Sequence, residues 1–345
     1  MNNYMEYIVS MIEKLVNTPS PSGYCKDVLS LLDEEAKGMG YETEFLQKGG
    51  LIVKVPGKCE KVTGLCAHVD TLGAMVRSVT SDGQLKLMPV GGYMMQTIEG
   101  EYCKVHARRC GKTYSGTVLT LEPSVHVYDD AKTFERKAAN MAVRLDEKVF
   151  TKEDVLALGI GVGDYISFAP RFEHTQSGFV KSRHLDDKAS AAVLFGVLKY
   201  MKDTGIKPCD TLKILISNYE EVGHGASCIP QDITQLLAVD MGAVGDDLSG
   251  DEYKVSICAM DSSGPYDYEM TNSLIDIAEK KGLAYAVDVF PHYGSDVSAA
   301  LGGGSNIRGA LIGQGVHASH GMERTHEEGL HNTFELIKGF IGVDA

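Results

Sequence analysis

"TLKILISNYEEVGHGAS", residues 211–227, changes character halfway along. Thr211–Ser217 is a largely apolar run of strand length, interrupted at Lys213, and the text after it is polar and glycine-bearing. A mostly apolar run of this kind reads as a buried strand, as in a parallel sheet covered by helices. Directly past its carboxyl end stand Glu220 and Glu221. Adjacent like charges repel, and carboxylates at the end of an apolar strand lose hydration, so a compensating partner is required.

The same reading extends along the chain. "GGLIVKV" (49–55), "VTGLCAHVD" (62–70), "LLAVDMG" (236–242), "YAVDVF" (285–290) and "RGALIG" (308–313) read as strands. "DDKASAAVLFGVLKYM" (186–201), "YEMTNSLIDIAEKKG" (268–282) and "EEGLHNTFELIKGFIG" (327–342) read as helices. Two helices open the chain. The first carries Ile8, Met11, Ile12, Leu15 and Val16 at helical spacing, and the second, from about 25 to 37, is stopped by "GMGY". This alternation predicts an α/β fold, a mixed and largely parallel sheet sandwiched by helices. Between 72 and 170 the text changes to short β-like pieces such as "QLKLMPV" (84–90), "EYCKVHA" (101–107) and "TYSGTVLTL" (113–121), split by Gly-rich turns. Helix is expected there only around 132–148. We therefore expect a β-rich barrel or sandwich, 72–170, inserted into an α/β domain made of 1–71 and 171–345.

Charge narrows the function. Across 345 residues, 33 Lys and Arg face 47 Asp and Glu, a net charge of −14, and the basic residues gather no further than "HARRCGK" (106–112). That argues against nucleic acid and anionic membranes as partners and favours cationic ligands. No stretch approaches the roughly 18 apolar residues of a membrane span, and the amphipathic start is unlike a signal sequence. The eight cysteines form no C-x-x-C pair. Reduced thiols and a cytoplasmic location are expected.

Chemistry-bearing residues recur at predicted strand ends and helix starts: His68 and Asp70 in "CAHVDT", Asp186 and Asp187 in "RHLDDKAS", Glu220 and Glu221, Asp240 in "AVDMG", and the histidines of "GVHASHGMERTH" (315–326). Ligands of open α/β sheets bind outside the carboxyl ends of the strands. Each group has an ordinary explanation alone; "DD" before a helix, for instance, is a good N-terminal cap. Together they need cations, and a pair of divalent ions answers best. His and carboxylate donors suit zinc or cobalt, and manganese can use them too. Adjacent glutamates then divide the labour, one binding metal and its neighbour taking a proton from the activated water.

The ordered set "AHVDT … LDDKA … EEVG … VD … SHGMER" resembles the glutamyl and tetrahedral (TET) aminopeptidase family, dinuclear metallo-aminopeptidases of phosphorylase/hydrolase-like fold with an inserted β-rich domain. The likeness covers nearly the whole chain. It implies that His68 and Asp240 hold one ion and Glu221 and His320 the other, with Asp186 bridging them. It further implies Glu220 as general base, with Asp70 steadying the His68 imidazole. The substrate would be a peptide with a free N-terminus. The assembly would be a homo-oligomer built from dimers, a dodecamer in many members, with the insert at the dimer contact or as a lid.

Two departures stand out. Lys188 occupies a position where the family pattern has arginine. The last motif offers His320 as the best-spaced ligand, with His317 as its rival and His326 third. The Met94–Met95 pair and Cys66 and Cys228 read as buried core residues, and Ser295 and Asp296 lie in a Gly-rich turn that the resemblance puts near the substrate pocket. Rival functions are a related amide hydrolase acting on N-acyl amino acids or C-terminal dipeptides, and a non-catalytic peptide- or metal-binding homologue.

Overall fold

A computed structural model of the chain describes residues 3–344; residues 1–2 and 345, at the ends of the expected α/β domain, lie outside the described residues. The chain divides into two compact units, Met1–Asp70 with Arg171–Ala345, and Thr71–Pro170.

The first unit opens with α1 (Asn3–Val16) and α2 (Lys26–Gly38), followed by β1 (Glu42–Phe45), β2 (Leu51–Val55) and β3 (Cys59–His68). All five residues read as the apolar stripe of α1 are buried.

The second unit is a closed antiparallel barrel. Its strands are β4 (Gly73–Val79), β5 (Leu85–Val90), β6 (Tyr102–Ala107), β7 (Lys112–Thr120), β8 (Met141–Leu145) and β9 (Tyr165–Phe168), with α3 (Lys152–Ala157) before the last. They close in the order β4-β5-β8-β7-β6-β9. Inward positions such as Val76, Leu87, Val105, Val118, Val143 and Ile166 fill its core. The helix expected around 132–148 is absent: that stretch holds a single 3-10 turn, Ala138–Asn140, and then β8. Met141, Val143 and Leu145 alternate inward against β5 and β7, and that pairing overrides the helix propensity of Ala, Leu and Glu there. The helix forms later, where Thr151 and Asp154 make a reciprocal cap at the start of α3. Met94 is 68% exposed and only Met95 packs inside, which corrects the reading of that pair as core.

The first unit resumes with β10 (Glu173–His174), β11 (Phe179–Ser182), α4 (Leu185–Thr204), β12 (Asp210–Ser217), β13 (Ile233–Val239), β14 (Gly242–Ala243), β15 (Val255–Asp261) and β16 (Gly264–Pro265). It ends with α5 (Tyr268–Lys281), β17 (Tyr285–Val289), α6 (Asp296–Gly302), β18 (Arg308–Val316), β19 (Glu323–His326) and α7 (Glu327–Ile341). The main sheet runs β1-β2-β12-β3-β13-β18-β15-β16, with β14 and β17 added at its side. β12, β3, β13 and β18 are parallel neighbours, while β2 and β15 run antiparallel to them. A separate small sheet joins β10, β11 and β19.

α4 is buried on every side from Leu185 to Leu198 and packs on α1, α7 and β3. Such a helix belongs at the centre of a large core. Its approach to α1 is close at Gly196, where a β-carbon would meet the Ile8 side chain at 2.6 Å. All eight cysteines are free thiols; Cys66 is buried as expected, but Cys228 is exposed. Cys228 falls in the loop after the strand, beyond the stretch that the sheet covers. No helix among the described residues is long and apolar enough to cross a membrane.

Candidate metal centre

Four parallel strands end side by side. β3 closes on His68, and β13 is followed at once by Asp240. After β12 the chain turns at Tyr219, in the left-handed region at φ 76°, into the single turn Glu220–Val222. Past β18 it reaches His320, also left-handed at φ 61°. Asp186 enters from the start of α4, joined to Asp187 by a cis peptide bond; neither residue has helical dihedrals, so α4 becomes regular only after them.

The carboxylate of Asp186 lies between two imidazoles. Its Oδ1 is 3.2 Å from His68 Nε2, and its Oδ2 is 3.4 Å from His320 Nε2. Glu221 Oε2 stands 3.5 Å from the same His320 nitrogen, and Glu220 Oε2 is 3.7 Å from His68 Nε2. On its other side, His68 Nδ1 is 3.0 Å from the backbone carbonyl of Asp70, an arrangement that directs Nε2 toward the carboxylates. The Asp70 side chain accepts hydrogen bonds from Ser22 Oγ at 2.6 Å and from the backbone N–H groups of Glu220 and Glu221. Asp70 thereby ties the first histidine motif to the glutamate turn. A cavity of about 470 Å³ opens over this cluster, with Asp186, Glu220, Glu221, Asp240, Tyr293 and His320 in its walls.

Burial dominates the electrostatics. It pushes Glu220 and Glu221 well above the ordinary carboxylate range, and Asp186 adds to the effect on Glu221. Burial, with Asp186 nearby, raises Asp240 to about 7. Burial would also raise Asp186, but its contacts with His320 and His68 hold it below the usual range. For His68, burial disfavours charge, yet Asp186, Asp70 and Glu220 outweigh it and hold the imidazole well above its usual value. A proton held on His68 would place positive charge among these carboxylates, the role a metal cation would otherwise fill.

The donor set fits a divalent metal. One atom each from His68, Asp186 and Glu221 lie within 4.8 Å of one another, and so do atoms from His68, Asp187 and Asp240. Asp187 Oδ2 accepts the His68 backbone N–H, while its buried Oδ1 has no hydrogen-bond partner. Imidazole and carboxylate without thiolate is a donor mixture for zinc, cobalt or manganese.

A pH dependence of the metal-free protein follows. Carboxyls raised by burial bind protons more tightly folded than unfolded, so they leave stability intact below about pH 4. That stability is lost as the pH climbs through the folded value, about 7 for Asp240. His68 acts with the same sign, and lowered Asp186 acts oppositely only below about pH 4. For Asp240 alone the effect is on the order of 4 kcal/mol, at 1.36 kcal/mol per pKa unit. Thermal melts after chelation should therefore fall by several degrees between pH 5 and 8. The same scan with zinc or cobalt present should be flatter, and two parallel curves would refute this account.

The remaining sequence candidates separate cleanly. His317 pairs through its backbone with Arg324 and is exposed. His326 caps α7 through Nδ1, and its Nε2 lies 2.8 Å from the Ser177 carbonyl, so both ring nitrogens are engaged away from the cluster. Lys188 is fully buried and donates to the carbonyls of Leu15 and Thr18, each at 2.8 Å, pinning the end of α1. Ser295 caps α6, and Asp296 accepts the Ala226 N–H and the Ser217 hydroxyl, which steadies the loop carrying the two glutamates. Glu323 was not singled out by the sequence, yet its carboxylate accepts the backbone N–H of Asp186 and of His320, both at 3.1 Å. Its only advance signal was a carboxylate three residues past a candidate ligand.

Known proteins carry the same arrangement of chain. A putative aminopeptidase of Bacillus subtilis, YhfE, is 47% identical over 335 residues, 96% of each chain. Among solved structures, aminopeptidase APDkam598 from the archaeon Desulfurococcus kamchatkensis has a TM-score of 0.87 at 22% identity, covering 99% of this chain and 96% of its own. The Pyrococcus horikoshii TET1 peptidase has a TM-score of 0.84 at 22% identity, over 97% and 99% of the two chains. The M42 glutamyl aminopeptidase model matches residues 49–336, a span that includes His68, the glutamate pair and His320. With the barrel unit inside that span and the candidate ligands at the strand ends on either side of it, the chain belongs to the M42 glutamyl aminopeptidase family.

Proposed function

We propose that this chain removes the N-terminal residue from peptides, with Glu220 as general base and two divalent ions held by His68, Asp186, Glu221, Asp240 and His320. The observation that carries the reading is the division between the adjacent glutamates. Glu221 belongs to a donor trio with His68 and Asp186, whereas Glu220 belongs to neither trio and reaches into the cavity beside His68. A group that must exchange protons is best left outside the ligand set.

Divalent ions at this site, zinc or cobalt by donor chemistry, supply Lewis acidity toward a carbonyl and lower the pKa of water. The side chains do the rest. Glu220 takes a proton from the attacking water and returns it to the leaving nitrogen, and its burial, which raises its proton affinity, suits both duties. Asp70 holds the His68 ring through the contacts at Nδ1. The acidic wall of the cavity attracts the substrate's free α-ammonium group and so selects chain ends.

The Thr71–Pro170 unit would supply the contact of a dimer-based homo-oligomer. Val127, Phe150 and Val162, each at least 72% exposed, are apolar side chains of that unit suited to burial against a second copy. The TET1 peptidase of Pyrococcus horikoshii is described as assembling into a tetrahedron or a large octahedral shell, a precedent for such a state.

The test is chromophore release from a panel of aminoacyl-p-nitroanilides, before chelation, after it, and after zinc or cobalt is returned. Activity that vanishes with the metal and returns with it is expected, and the panel names the preferred residue. Absence of turnover on every free-amine substrate, with both ions bound, would overturn the reading in favour of acylated or C-terminal substrates.

A further inference from the structure

The candidate ligands hang from two different scaffolds. His68, Glu221 and Asp240 follow strands of the main sheet. Asp186 instead lies four residues past the end of β11 in the small sheet, and His320 sits in the link between β18 of the main sheet and β19 of the small one, which begins three residues later. In that small sheet Ser182 is paired with Glu323. An ion shared by Asp186, Glu221 and His320 therefore requires two sheets to be held in register.

We propose that Glu323 is the positioning residue that fixes Asp186 and His320 relative to one another, and so sets the affinity of the ion they share with Glu221. This rests on the ligand set proposed above. Glu323 is 2% exposed, and its two oxygens are divided: Oε2 accepts the Asp186 N–H and Oε1 accepts the His320 N–H. Both N–H groups belong to backbone that regular structure does not satisfy. Asp186 has ψ 105°, outside the helix, and His320 lies in the left-handed region, sparsely populated for residues other than glycine. Only a carboxylate offers two equivalent acceptors on one short stem. Glutamine would keep one acceptor and point an N–H₂ group at the other N–H, and aspartate would be one methylene too short to reach both.

Metal titration against a chromogenic chelator, on the full chain, reads this without reference to catalysis. Wild-type protein is expected to bind two zinc or cobalt ions. Glu323→Gln and Glu323→Asp should each keep one near wild-type affinity and bind the other about 10–100-fold more weakly. Adding either Glu323 change to His320→Ala should weaken that site little beyond His320→Ala alone, because a tether for a ligand already lost has less left to position. Circular dichroism and a cooperative melt establish which variants are folded, and either folded variant suffices. Two ions bound at wild-type affinity in a folded variant would overturn the proposal alone. A wild-type chain that binds no metal would overturn the ligand set and the proposal with it.

Discussion

Glu220→Gln is expected to lower kcat by about 10²–10⁴-fold, the usual contribution of a positioned acid–base group, while metal content and KM change little. The amide has the size of the carboxylate it replaces and can occupy the same place, 3.7 Å from His68 Nε2. What it loses is the capacity to take a proton. Glu221→Gln, one residue along, should behave differently: Glu221 is a member of a donor trio with His68 and Asp186, so the first symptom should be metal lost on dialysis. Steady-state kinetics with metal analysis on both variants separates the roles. Retention of more than about a tenth of wild-type kcat in fully loaded Glu220→Gln would place the general base elsewhere.

The second large effect is expected at Asp186. Its two oxygens face different imidazoles, at 3.2 and 3.4 Å, so one substitution reaches both ion positions. Asp186→Ala should abolish turnover and lose both ions together, whereas His320→Ala should lose one first. Thermal stability gives an independent readout. An ion present at 100 times its Kd stabilises the folded state by about 2.7 kcal/mol, several degrees for a chain of this size. That metal-induced rise should disappear in Asp186→Ala, and its persistence at full size would show that the ions bind without this bridge.

Much of this was legible because periodicity and termination coincide in the strands of the main sheet. Runs such as Thr211–Ser217 and Arg308–Gly313 are mostly apolar, with charge only at Lys213 and Arg308, and each is followed by the polar residues of the site. Where the readable pattern failed, tertiary partners had decided the outcome. "NMAVRLDEK" (140–148) contains good helix formers, yet Met141, Val143 and Leu145 pack into the barrel core, and only the neighbouring barrel strands reveal which property wins. β15 (Val255–Asp261) enters the sheet antiparallel to β18, an orientation that strand–helix alternation does not announce. The ligand candidates are legible as residue types at strand ends. Glu323 is not, because its role is a pair of hydrogen bonds to backbone at Asp186, 137 positions away, and at His320.

The order in which the strands occur along the chain has a consequence for synthesis. β3, which ends in His68, lies between β12 and β13, and neither exists until the ribosome has passed Asp210 and Ile233. At about 5–20 residues per second, that wait is on the order of ten seconds. Every partner of the barrel strands, by contrast, lies between Gly73 and Phe168 and has been translated before β12 begins. A nascent chain can therefore complete its insert while the strand bearing the first histidine still has both edges open. A nascent chain that has not yet reached His320 lacks one of the candidate ligands, however completely its barrel has folded.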